Sequence, residues 1–207
     1  MADAIKKEIR AYGIRALLSR HPAIRRLKGK NIPTRHGNKH WSSSWLIMDF
    51  FSKQGLRSDA HVMEIGCGWG LAGIYCAKNH GVRVTSVDVD PSVFPFLLLH
   101  AEVNKVKLSP WRKSYAQLSQ KDFEDVDVII GADICFWDNM VDPLKRVIRR
   151  ALRAGMKGIV LADPGRSPFE EMAQYFVDKW GGELLDWGSK RPRPIHGRLL
   201  LIQGAIS

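Results

Sequence analysis

VMEIGCGWGLAG, residues 62–73, is the stretch that decides the fold of this 207-residue chain. The run at residues 61–65 predicts a buried parallel strand, and a helical pattern begins at Leu71. Three glycines at alternate positions, Gly66, Gly68 and Gly70, lie between them. Because glycine has no Cβ, the backbone of such a turn can closely approach a nucleotide-like ligand. The pattern therefore predicts a ligand-binding turn between a strand and a helix.

A second apolar strand is predicted at residues 82–87, and it ends in Asp88. An acid at the tip of the second strand is where a ribose diol is held. A dinucleotide site would require G-x-G-x-x-G, but Leu71 stands in place of the third glycine. Residues 64–70 instead read E-x-G-x-G-x-G.

This pattern resembles the first motif of the class I, seven-β-strand S-adenosylmethionine (SAM) methyltransferases. The alternative is a glycine turn in some other α/β protein. The resemblance implies SAM as the cofactor and a three-layer, Rossmann-like α/β fold whose seven-stranded sheet is parallel except for its last strand. It also implies cofactor contacts from Trp41, Glu64, Gly66, Cys67, Gly68, Gly70, Asp88, Val89, Gln117 and Asp133.

Two of these contacts, those of Gln117 and Trp41, are inferred from their positions relative to the family's motifs. Gln117 falls where this class places an acid or amide beside the adenine, and Trp41 precedes the first motif as a cofactor-covering tryptophan does in the seven-strand lysine methyltransferases. Trp41 is equally well explained as a core aromatic residue.

The remainder of the chain alternates between strand and helix patterns, as an α/β sheet requires. Helices are expected at residues 91–104, 138–152 and 169–180, and a further helix opens with residues 40–51. Strands are expected at residues 106–111, 126–132, 157–162, 183–188 and 198–205.

The strand predicted at residues 126–132 is followed by D-x-x-F, with Asp133 and Phe136. This resembles the D-x-x-[YF] signature of the seven-strand protein-lysine methyltransferases, which implies catalytic roles for both residues. The carboxylate would orient the acceptor ammonium, and the ring would receive the alkyl chain or cation. A capping or structural role for Asp133 is the alternative. Cys135 follows isoleucine rather than proline, so it does not match a cytosine-C5 nucleophile and is expected to be a small buried residue.

The resemblance extends from Trp41 to the C-terminus. Its nearest group is the nicotinamide N-methyltransferase-like enzymes, including the electron-transfer-flavoprotein β-subunit lysine methyltransferases, which share a D-P-G-R turn like residues 163–166. The acidic-Trp-Gly element usual after the third strand is missing, which leaves the adenine contacts and the subfamily open.

Most of the net charge of +11 lies in residues 1–40, which hold 11 lysines and arginines against Asp3 and Glu8. We divide the chain into this basic, helical extension and a methyltransferase domain over residues 41–207. Ile5, Ile9, Tyr12 and Ala16 predict an amphipathic helix over residues 3–18, and residues 23–39 are expected to be a linker. We expect the helix to dock with six basic residues facing the entrance near Phe136: Lys7, Arg10, Arg25, Arg26, Lys28 and Lys30. A nucleic acid, the ribosome or an acidic protein could bind this arm, although a solvated helix needs no partner.

Cys67, Cys76 and Cys135 lack metal-site spacing, so they predict reduced thiols, no metal site and a cytoplasmic location. No apolar stretch approaches 18 residues and no secretory signal is evident, so no membrane association is expected. We expect a monomer.

Protein lysine is the first choice of methyl acceptor, RNA the second and a small amine the third. A non-enzymatic alternative is a basic nucleic-acid-binding scaffold with a vestigial SAM pocket.

Overall fold

The computed structural model describes residues 7–32, 37 and 39–203. Its strands are β1 Glu8–Ala11, β2 Ile14–Leu17, β3 His61–Ile65, β4 Arg83–Asp88, β5 Ser109–Arg112, β6 Val128–Ala132, β7 Gly158–Asp163, β8 Glu183–Ser189 and β9 Ile195–Gln203. Its α-helices are α1 Pro22–Lys28, α2 Ser44–Gln54, α3 Leu71–His80, α4 Phe94–Asn104, α5 Asp138–Arg153 and α6 Ser167–Trp180. The helix predicted from residue 91 is a 3-10 turn, Pro91–Val93, that continues into α4.

Seven of these strands form one mixed sheet in the order β5-β4-β3-β6-β7-β9-β8. The pairs among β3 to β7 are parallel, and β9 runs antiparallel to both β7 and β8. The predicted α/β class and antiparallel last strand are therefore confirmed. Strand order reverses between β3 and β6, and open α/β sheets bind ligands beyond the carboxyl ends of strands at such a point.

Two apolar layers cover the sheet, because successive side chains of a strand point to opposite faces. In β7, Val160 and Ala162 pack with α2 and α3, whereas Ile159 and Leu161 pack with α5 and α6. Burial on both faces explains why this strand is an almost unbroken apolar run in the sequence. The layers hold the carboxyl ends of β3 and β6 side by side.

The helix predicted at residues 3–18 is wrong over its described part, because β1 and β2 form an antiparallel hairpin there. Tyr12 and Gly13 connect the strands with φ of 49° and 72°. Positive φ at both residues defines the two-residue turn that fits a hairpin. Ile5 lies outside the described residues, so the apolar stripe assigned to the helix is only partly accounted for.

The hairpin packs on its own domain. Asn104 bonds the backbone of Arg15 in both directions, through Oδ1 to the amide and Nδ2 to the carbonyl, each at 2.8 Å. His100 Nε2 accepts from the amide of Leu17 at 3.0 Å. Side chains of α4 therefore satisfy the backbone groups of β2 that no neighbouring strand reaches.

The linker predicted for residues 23–39 is also partly wrong. Residues 23–28 belong to α1, whose Ile24 is fully buried, and His21 caps the helix by accepting from the amide of Ala23.

Two strands are displaced from their predicted bounds. Strand β5 begins at Ser109 and not at residue 106, and strand β9 begins at Ile195 and not at residue 198. Among the described residues, no helix is both long enough and apolar enough to cross a bilayer.

Candidate functional site

Local backbone geometry shapes the turn between β3 and α3. Gly66, Gly68 and Gly70 have φ of 62°, 52° and 71°, in the left-handed region that side chains disfavour. A Cβ on Gly70 would lie 1.9 Å from a methyl of Leu97. A Cβ on Gly68 would meet no atom of the described residues within 4 Å, and this glycine lines the cavity beyond the strand ends. The predicted ligand-binding turn therefore presents bare backbone to that cavity.

Asp88 lies at the end of β4 and is tied to the same turn. Its Oδ2 accepts from the amide of Gly68 and its Oδ1 from the amide of Asp90, each at 2.9 Å. Each carboxylate oxygen can accept a further bond. Burial raises the pKa of Asp88 above its ordinary value. The carboxylate is thus held rigidly, with acceptor capacity left for a ligand hydroxyl.

Glu64 is the buried acid of the first motif, with 4% of its surface exposed. Burial raises its pKa to about 8. Its Oε2 has no hydrogen-bond partner among the residues described. A carboxyl group in this state favours a cationic or hydrogen-bond-donating ligand group close by.

These residues line a cavity of about 750 Å³, a size suited to a nucleoside-like ligand. Of the residues predicted to contact the cofactor, Trp41, Glu64, Gly66, Cys67, Gly68, Gly70, Asp88, Val89 and Asp133 all line this cavity, and so does Phe136. Gln117 does not line it, and its side chain is exposed. Ser114, Tyr115 and Ala116, which immediately precede the predicted position, line the cavity in its place.

Asp133 follows β6 with a φ of 55°, an unusual conformation for a non-glycine residue. Its side chain is 2% exposed, and it accepts from the amide of Ser43 at 3.1 Å and from Arg166 Nη1 at 2.9 Å. The same Nη1 donates to Asp163 Oδ2 at 2.7 Å. The D-P-G-R turn thus supplies a guanidinium that offsets the charge of both buried carboxylates.

An aromatic cluster lies against this ion pair. The ring centroids of Trp41 and Phe136 are 5.0 Å apart, and the Arg166 guanidinium carbon lies 4.2 Å from the Phe136 centroid. Lys39 Nζ lies 4.3 Å from the Trp41 centroid. The cluster can therefore receive both an alkyl chain and a cationic head.

Trp41 and Asp133 also line a second cavity, of about 1130 Å³, together with His40 and Lys39. Burial lowers the pKa of His40 to about 4, and the nearby charges of Arg193 and Lys39 add to the effect. His40 is therefore a neutral imidazole at pH 7 at the boundary between the two cavities. None of the six basic residues expected to face this entrance lines either cavity, so that expectation is wrong.

Comparison with known protein families gives a match over residues 29–179 to a family model described as lysine methyltransferase. The chain belongs to the lysine methyltransferase family. The match spans α2 to α6 and includes the glycine turn, Asp88, Asp133 and the D-P-G-R turn.

Individual relatives of this chain are distant. The electron transfer flavoprotein beta subunit lysine methyltransferase of Xenopus laevis is 24% identical over 139 residues, which cover 65% of this chain and 56% of that protein. The ribosomal protein L11 methyltransferase of Methylobacillus flagellatus is 26% identical over 162 residues, covering 75% and 50% respectively. The chain thus spans about half the length of the curated relatives it matches. Among solved structures, TrmN from Thermus thermophilus has a TM-score of 0.61 at 14% identity, covering 76% of this chain and 48% of that one, and so shares the fold.

SAM is the cofactor that membership of this lysine methyltransferase family implies, and the first cavity fits it. The backbone at Gly68 leaves space that a Cβ would fill, Asp88 keeps acceptor capacity for ribose hydroxyls, and Glu64 has an unpartnered buried oxygen for a cationic ligand. No phosphate-binding cation is required, because SAM has no phosphate. Within the described chain, no cluster of three His, Cys, Asp or Glu side chains could hold a metal ion.

Three residues of this site had no role predicted from the sequence: His40, Tyr115 and Arg166. The D-P-G-R turn shared with the family indicated Arg166. Its contact with Asp133 was not indicated, because the two residues are 33 positions apart in the sequence. Tyr115 lies two positions before Gln117, the predicted adenine contact. Both belong to one 3-10 turn, and its geometry determines which side chain lines the cavity. His40 had no sequence signal, since its neutrality results from burial.

Proposed function

We propose that this protein is a SAM-dependent methyltransferase that N-methylates a lysine side chain of another protein. The observation that carries the proposal is the shared wall between the two cavities. Trp41 and Asp133 line both, and Phe136 lies 5.0 Å from Trp41 at the same boundary. A methyl donor in the first cavity and an acceptor in the second would therefore meet at the D-x-x-F motif.

SAM, when bound, supplies an activated methyl group, so the chain has to bind and orient the cofactor and the acceptor and to exclude water. Asp88 would hold the ribose through its free acceptor sites, and the backbone at Gly68 would lie along the ligand. Val89 is 46% exposed on the cavity wall and would cover an apolar face of the cofactor.

At the acceptor side, the lysine ammonium must lose a proton before its nitrogen lone pair can form the new C–N bond. With that proton released to solvent, the methyl group that bound SAM supplies would be transferred to the nitrogen, and S-adenosylhomocysteine would be the leaving group. Phe136 and Trp41 would surround the alkyl chain, and Asp133 would orient the amine through its remaining acceptor sites. Arg166 holds Asp133 in place and limits the negative charge that the amine meets.

The test is to incubate the protein with cell lysate and tritiated methyl-SAM, and then to treat the products with protease or with ribonuclease. Protein-lysine methylation predicts label that is lost to protease, survives ribonuclease and is recovered as methyl-lysine. Label removed by ribonuclease would instead support RNA as acceptor, and label that survives both treatments in a small product would support a small amine. Calorimetric titration with SAM is the companion measurement, because a vestigial pocket predicts no binding.

The names of the relatives support a protein acceptor, since one is a lysine methyltransferase of a flavoprotein subunit and another a ribosomal protein methyltransferase. Contact with RNA or the ribosome through residues 1–40, a monomeric state, and the division at residues 40 and 41 remain proposals. A cytoplasmic location is also a proposal, supported by three cysteines that are buried and free. Burial raises the pKa of the Cys135 thiol to about 12, as expected for a packing residue and not a nucleophile.

A further inference from the structure

The second cavity has a charge pattern that the proposed methyl transfer does not by itself explain. Its lining includes four cationic side chains, Arg20, Lys39, Arg166 and Arg193. Among the described residues, the single carboxylate in the lining is Asp133, which is buried and bonded to Arg166. The cavity where the acceptor would enter is therefore electropositive.

Three of these cations have no countercharge within the described residues. Arg166 is paired with Asp133 and Asp163, but none of the ion pairs found there involves Arg20, Lys39 or Arg193. All three are exposed around the rim. Like charges grouped at one opening repel one another and attract an anionic ligand.

Arg193 lies in a loop whose backbone is held by hydrogen bonds. Ser189 Oγ donates to the carbonyl of Arg191 and accepts from the amide of the same residue. Prolines at 192 and 194 flank Arg193 and restrict its local backbone. The backbone that carries Arg193 therefore needs little further ordering when the side chain binds a carboxylate.

We propose that the second cavity binds an acidic segment of a protein substrate, a lysine flanked by Asp or Glu, with Arg20, Lys39 and Arg193 contacting the flanking carboxylates. This inference rests on the proposed lysine methylation. A lysine in a basic context would be repelled as it approached, whereas flanking carboxylates offset that repulsion. Inside the cavity, the cationic surroundings favour the neutral amine, the form that can attack a methyl group.

The experiment measures kcat/KM by mass spectrometry on an array of lysine-centred peptides that differ only in their flanks: glutamate, glutamine or lysine. Glutamate flanks should exceed glutamine flanks roughly tenfold at low salt, the effect of two exposed ion pairs of ordinary strength. The preference should shrink as salt is raised. Lysine flanks should give the slowest transfer.

Charge-reversal variants test whether the preference for glutamate flanks depends on the second cavity. Arg20→Glu and Arg193→Glu should each reduce or reverse the preference for glutamate flanks while SAM affinity, measured by calorimetry, stays unchanged and verifies folding. Lys107→Glu is the matched control, because Lys107 is exposed and lines neither cavity.

Equal transfer to glutamate-flanked and glutamine-flanked peptides would overturn the inference and leave lysine methylation standing. Retention of the full preference in both reversal variants would also overturn it. Absence of methylation on every peptide, with label in lysate removed by ribonuclease, would reject the proposed function and this inference together.

Discussion

A buried carboxyl group whose pKa is raised to about 8 still holds its proton at pH 7, and Glu64 is in this state without ligand. SAM carries a sulfonium and an ammonium group, and a cation near Glu64 favours the ionised form. Binding should therefore release up to about one proton, so SAM affinity should rise with pH between about pH 6 and pH 8. Calorimetric titrations in buffers of different ionisation enthalpy measure the number of protons released.

Glu64→Gln should remove both the proton release and the pH dependence, since glutamine cannot titrate. Asp186→Asn is the control, because Asp186 is 89% exposed in its side chain and lies at the far edge of the sheet. An affinity that stays constant over this pH range in the unmodified protein would rule out Glu64 as the titrating group.

At the level of single residues, the sequence predicted which residues lie at strand ends and in the glycine turn, and it missed contacts made between distant segments. The positions of Asp88 and Asp133 were predictable because Asp88 ends one strand and Asp133 directly follows another. The ion pair of Asp133 with Arg166 was not, because D-x-x-F says nothing about a guanidinium 33 residues later. The four cationic side chains of the second cavity likewise come from four separate segments of the chain.

Among the elements, the hairpin β1–β2 depends on the conformation of one glycine. Gly13 has a φ of 72°, and a Cβ there would lie 2.9 Å from Asn79 Oδ1. Asn79 cannot easily move, because its Nδ2 donates to the carbonyls of Tyr12 and Tyr75. Gly13→Ala should therefore lower the free energy of unfolding by about 1–2 kcal/mol for the left-handed backbone, plus the cost of the crowding.

Urea denaturation measures this difference, and Gly155→Ala is the matched control. Gly155 also has a positive φ, 85°, but a Cβ there would meet nothing within 4 Å. The two variants share the backbone cost and differ in the contact with Asn79. If Gly155→Ala proved as destabilising as Gly13→Ala, the crowding at the hairpin turn would have no energetic weight.

The predicted helix at residues 3–18 failed because its spacing satisfied two periodicities. Ile9, Tyr12 and Ala16 fit a helical stripe, but in the hairpin Ile14 and Ala16 alternate with Arg15 along β2. Gly13 was the discriminating signal, since glycine disfavours a helix interior and favours a two-residue turn. Strands β3, β6 and β7 had no such ambiguity, because each is short, mostly apolar and bounded by a turn.

For the molecule as a whole, the N-terminal segment is part of the core and not a detachable arm. Ile14, Leu17 and Ile24 are 2% exposed or less, and burying each contributes about 1.5–3 kcal/mol. Deleting residues 1–30 should therefore lower the free energy of unfolding by several kcal/mol, measured by thermal or urea denaturation. The double variant Arg25→Gln, Arg26→Gln is the control, since both residues are exposed and removing their charge leaves the packing intact. A truncated protein as stable as the full chain would mean that this packing is dispensable.

The hairpin's contacts also impose an order on folding during synthesis. Tyr12 donates to Asp49 at 2.7 Å and lies 2.6 Å from Ser189 Oγ, 177 residues later in the chain, while β2 requires Asn104 and His100. A ribosome adding 5–20 residues per second needs on the order of ten seconds or more to make that interval. A two-stranded hairpin alone is at best marginally stable in water. Until these later residues are made, the nascent chain exposes Ile14 and Leu17, and we expect molecular chaperones to bind this apolar segment.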